Sequence, residues 1–104
     1  MKTSTILLNG SRVTVDAATA GTVRFAMRRF AAMTVADRQY VVGAATSYFA
    51  AVAAGEASDR FLGQFEGRMG FRCRDEVQIQ WVMEVLLEWW EDGYSWYSDG
   101  TQRR

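Results

Sequence analysis

"TSTILLNGSRVTV", residues 3–15, decides how this chain begins. Asn9-Gly10 stands between two short β-prone runs. Both positions tolerate positive φ, so the pair predicts a two-residue hairpin turn. Such a turn sets the register, with Leu8 opposite Ser11, Ile6 opposite Val13 and Ser4 opposite Val15. Ile6, Leu8, Val13 and Val15 then share one face, as a hairpin needs if it packs on helices, while Leu7 and Arg12 take the other.

Beyond the hairpin the pattern turns helical. The 104 residues contain no proline, where about five are usual, and alanine is abundant. Proline breaks helix interiors and alanine favours them, so both features predict helices with compact connections. Asp16 reads as an N-cap for a helix over 17–33 that places Val23, Met27 and Phe30 on one side and Arg24, Arg28 and Arg29 on the other. Gly21 weakens its first turn, so a start near Thr22 is the alternative. "TVAD", residues 34–37, has the hydroxyl and acid of a capping box and opens a helix over 35–54 that Gly55 ends. Val41, Ala45, Tyr48 and Val52 form its heavy stripe. Gly43, Ser47, Ala51 and Ala54 form a small-residue stripe suited to close approach by another helix. Ser58 predicts the cap of a third helix with Phe61, Leu62, Phe65 and Met69 inward. Asp75 with Gln78 resembles another capping box and opens the last helix, to about Asp92.

These readings give an α+β fold that is mostly α. It has a β-hairpin over 1–15, about four helices over 17–92 and an aromatic tail over 93–104, all packed as a single small domain. The length suits one domain with a core of its own.

The last helix is apolar over most of its circumference, with one polar stripe of Gln80, Glu84, Glu88 and Glu91. That pattern predicts a central helix with Trp81, Val82, Val85 and Trp89 in the core. "EVLLEWWEDGYSWYSDG", residues 84–100, then carries three tryptophans, two tyrosines and five acids with no basic residue. Trp90, Tyr94, Trp96 and Tyr97 exceed what the domain can cover. Large rigid aromatics with a polar handle dominate binding hot spots. Glu88, Glu91, Asp92 and Asp99 would rim them and select a partner protein with a basic surface. Docking of the tail on its own domain is the competing reading, and self-association of the surplus aromatics, as in a homo-oligomeric structural protein, is a further one.

Charge is unevenly placed within a neutral total. Residues 1–74 hold ten basic and five acidic side chains, whereas residues 75–99 hold seven acids and no base. Arg24, Arg28 and Arg29, with Arg72 and Arg74, are the candidate contacts for nucleic-acid phosphate. A small nucleic-acid-binding regulator is therefore the alternative function. The acidic segment opposes it.

Chemistry finds few carriers. There is no histidine and one cysteine, which removes the commonest general base and the usual zinc and iron–sulfur ligand sets. Cys73 lies between Arg72 and Arg74, which would lower its thiol pKa. Glu84 and Glu88 stack on one helix face, not across a cleft as glycosidase chemistry needs. No catalytic residue, metal or cofactor is expected. A lone cysteine, no leader-like apolar run and no membrane-length window point to a cytoplasmic protein with no membrane partner.

The opening "ILLNGSRVTVDAATAGTV", residues 6–23, resembles the short Asn-Gly hairpin running into a helix of many small accessory proteins from phages and mobile elements. Anti-CRISPR proteins are one class of this kind. The resemblance implies a non-enzymatic inhibitor that blocks a host protein surface by stoichiometric binding.

Overall fold

The computed structural model describes residues 2–8 and 10–91. Strand β1 (Thr3–Leu8) and strand β2 (Ser11–Asp16) form a two-stranded antiparallel sheet. Four helices follow: α1 (Ala17–Ala32), α2 (Val35–Ala54), α3 (Asp59–Met69) and α4 (Glu76–Glu91). The described residues fall into two compact units. One combines the segment up to Ala32 with the segment from Cys73 on, and the other is Met33–Arg72.

The first unit begins with the hairpin in the register that its turn dictates. Ser4 pairs with Val15, Ile6 with Val13 and Leu8 with Ser11. Gly10 holds φ at +75°, which an L side chain rarely adopts. Ile6 and Val15 are buried, Leu8 and Val13 are half-buried, and Leu7 and Arg12 face solvent. Period-two alternation thus becomes one covered face.

Asp16 ends β2 and caps α1, its carboxylate accepting from the Thr19 amide at 2.7 Å. With that cap in place the helix starts at Ala17 and not near Thr22, and Gly21 is tolerated within it. Val23, Ala26 and Phe30 are fully buried along one stripe. On α4 the covered stripe is Val82, Met83, Leu86 and Trp89. The Phe30 and Trp89 rings lie 5.7 Å apart at 44°, a tilted contact between α1 and α4. Burying a large apolar side chain of this kind contributes roughly 1.5–3 kcal/mol.

The cap of α4 departs from the simple box. Asp75 accepts from the Gln78 amide at 3.0 Å, as expected. The Gln78 side chain, only 3% exposed, reaches back one residue further and accepts from the Arg74 amide at 2.9 Å. Two orphan donors are satisfied, but the second lies outside the N-cap position.

The second unit is a helix pair. Thr34 accepts from the Asp37 amide at 3.1 Å and opens α2. Gly55, at φ +71°, closes it. The Glu56 amide donates to the Ala51 carbonyl at 2.8 Å and the Gly55 amide to Val52 at 3.1 Å, the two bonds of a Schellman ending. The chain then turns back into α3. Arg68, near the end of α3, meets Asp37, near the start of α2, at 2.7 Å, so the two helices run antiparallel. The same guanidinium lies 3.9 Å from the Tyr40 ring centroid. Asp37 therefore spends its carboxylate on α3.

Four sequence expectations need correction. Val52 is 42% exposed, so the heavy stripe of α2 is Val41, Ala44, Ala45, Tyr48 and Ala51. Gly43 faces solvent, and a Cβ there would meet nothing within 4 Å among the described residues, so no close helix approach is made at that position, although Ala51 of the same stripe is buried. Ser58 holds the N-cap position of α3 but its hydroxyl makes no capping bond; its carbonyl instead accepts from Phe61 and Leu62 at 3.1 Å. Trp81 is half-buried, not core, because it sits one residue off the covered stripe of α4.

Candidate binding groove

Within the first unit, β1, α1 and the second half of α4 enclose a groove of about 310 Å³. Helical spacing builds its floor. Val23 and Met27, one turn apart, come from α1, and Val85 and Trp89, one turn apart, come from α4. Buried Ile6 and exposed Leu7 line the groove from β1.

Charged side chains stand over this floor. Arg24 and Arg28, each one residue past an apolar floor residue, line the groove on the α1 side, and half-buried Glu88 lines it on the α4 side. Arg24 is anchored: its Nη2 donates to the Ser4 hydroxyl at 3.1 Å and to the Thr5 carbonyl at 3.0 Å. Arg28 makes no ion pair or hydrogen bond with any other described residue. These two arginines were expected on the side of α1 away from Val23 and Met27. Instead they border the apolar stripe, because a residue one step along a helix turns only about 100° and a long side chain covers the rest.

The remaining arginines are placed differently. Arg29 lies over the Phe25 ring at 5.7 Å. Arg74 bonds Asp75 at 2.9 Å and Asp16 at 3.3 Å, and these carboxylates hold its guanidinium firmly protonated. Arg72 belongs to the other unit and stands 3.9 Å from Glu66. Within the first unit, then, the phosphate-contact candidates divide among a groove, a ring and a pair of helix caps.

The acidic, aromatic segment is described as far as Glu91. Trp90 sets its ring edge-on against Phe30, 6.2 Å away at 87°, while keeping part of its surface exposed. Glu91 is exposed at the end of α4. Asp92, Tyr94, Trp96, Tyr97 and Asp99 lie outside the described residues. Cys73 is half-buried. No group of three or more metal-ligating side chains occurs among the described residues, and none of their helices is long and apolar enough to cross a membrane.

Glu88 and the pair Arg24 and Arg28, assigned to rival sites from sequence, therefore border one groove. The double spacing of Val23–Met27 and Arg24–Arg28 carried that signal, but it acquires meaning only once β1 and α4 supply the other walls. No protein-family model, curated protein or solved structure matches the chain.

Proposed function

We propose that this chain is a non-enzymatic protein-binding inhibitor or regulator, acting in fixed ratio by covering a surface of a host protein, as the resemblance to anti-CRISPR proteins implies. The observation that supports it is an apolar groove rimmed by Arg24, Arg28 and Glu88. A floor that buries apolar side chains beneath a charged rim is the anatomy of a recognition surface. Half-exposed Trp90 and exposed Glu91 follow the groove-lining Glu88 and Trp89 along α4.

The test is a titration of a candidate host target with the purified protein, followed by light scattering on the mixture. Inhibition should saturate at a fixed ratio, with a complex of matching mass. Inhibition far below stoichiometry with a chemically altered target would reject the proposal, and so would steeply salt-dependent binding to nucleic acid alone.

A further inference from the structure

We propose that the groove takes an extended, acidic segment of a partner protein, which adds to the open edge of β1 as a third strand and sets its carboxylate against Arg24 and Arg28. This rests on the protein-binding reading above and names the chemistry of the partner.

The strand edge comes first. In a hairpin closed by a two-residue turn, Leu8 and Ser11 exchange backbone bonds, and the pairs alternate from there. Thr3, Thr5 and Leu7 therefore point their N–H and C=O groups away from β2. Among the described residues the sheet has two strands, so no described strand covers that side. The Thr5 carbonyl does point outward, since it accepts from Arg24 at 3.0 Å. Thr5 and Leu7 also line the groove, so the open edge faces it. An uncovered edge of this kind is a template for another strand.

Charge selects the occupant. Arg24 binds two neutral oxygens, Ser4 Oγ and Thr5 O, and no carboxylate among the described residues. Arg28 has no partner among the described residues. Among the described residues Glu88 is the one carboxylate lining the groove, and the two arginines outnumber it. An incoming aspartate or glutamate makes a stronger, charge-assisted bond to Arg24 than a carbonyl does. Arg24 then leaves the Thr5 oxygen, which becomes free to accept from the incoming strand. The acidic residue thereby opens the edge that its own backbone uses. Alternate side chains of that strand drop onto Met27, Val85 and Trp89.

Random octapeptides displayed on phage are selected against the full chain, and enriched sequences are resynthesised for fluorescence anisotropy. Enriched peptides should alternate β-branched or apolar residues with Asp or Glu. Arg28→Glu should weaken them by roughly tenfold or more, and replacing their acid by lysine should restore binding to that variant. Bound peptide should slow amide exchange at Thr5 and Leu7, and backbone N-methylation of the peptide should abolish binding. No enrichment, enrichment of basic or helical peptides, or indifference to Arg28→Glu would overturn the proposal. So would a concentration-dependent dimer that Leu7→Asp dissolves, which would give the groove to a second copy. Peptide binding without inhibition of any protein would count against the proposed function alone. A fixed-ratio protein complex indifferent to Arg28→Glu would count against the groove alone.

Discussion

Arg74 reaches Asp16 across 58 residues of chain, Nη2 to Oδ2 at 3.3 Å, while its Nε holds Asp75 at 2.9 Å. One guanidinium therefore joins the caps of two helices, because Asp16 starts α1 and Asp75 starts α4. The Thr19 amide, and then Arg74, hold the Asp16 carboxyl below the usual aspartate range. The Gln78 amide and Arg74 do the same for Asp75.

Acid should weaken the fold through these two groups. Their folded pKa values are lowered, so their contribution is complete above the ordinary aspartate range. It is lost as pH falls below about 4, through the lowered values. Asp16→Asn with Asp75→Asn keeps a capping oxygen but removes the titration. Thermal melts from about pH 6 to pH 2.5 should show a shallower decline in the double variant. Parallel curves would mean that other carboxylates govern acid unfolding.

The three tryptophans of α4 should rank by burial. Trp89, 1% exposed and against Phe30, should cost roughly 3–5 kcal/mol when changed to alanine. Trp81 and Trp90 keep exposed surface and should cost less. Urea unfolding of the three variants checks the order, and equal losses would contradict it.

Glycines should divide by backbone geometry. Gly55 ends α2 at φ +71°, so Gly55→Ala should destabilise by about 1 kcal/mol. Gly63 and Gly67 lie inside α3, where a Cβ would meet nothing within 4 Å among the described residues. Alanine at either should stabilise by about 0.5–1 kcal/mol. Melting temperatures should therefore move in opposite directions, and a fall at Gly63 or Gly67 would contradict the open surroundings of α3.

Arg68 should not be replaceable by lysine without loss. It combines an ion pair to Asp37 with a stack on Tyr40, and lysine retains only the charge. Both ion-pair side chains are partly solvated, so Arg68→Lys should cost no more than about 1 kcal/mol. A double-mutant cycle with Tyr40→Leu isolates the stacking part, and a coupling of zero would remove it.

Local signals were legible in the sequence wherever one residue type had one physical use. Asn9-Gly10 gave the pairing of Ile6 with Val13, Asp16 the start of α1, and Thr34 and Gly55 both ends of α2. What depends on distant packing was not legible. Val52 and Trp81 have core-like chemistry, but their exposure is set by which stripe the neighbouring elements cover. Arg24 illustrates the same point for the groove. Its place beside Val23 was plain, yet its hold on the Thr5 carbonyl requires β1 to lie across α1.

The two-unit division has a consequence for the order of assembly. Met33–Arg72 is continuous in sequence, and its helix pair needs only the short turn after Gly55. The other unit brings together segments separated by that whole stretch. As the chain leaves the ribosome, Val23 and Phe30 are made well before Trp89, which packs against the Phe30 ring. A nascent hairpin and α1 therefore lack their α4 partner until late in synthesis, and non-local closure of this kind is in general slow and exposed to aggregation. Low expression temperature and chaperone supply should then matter more for this half of the protein than for the helix pair, which can complete its own contacts while synthesis continues.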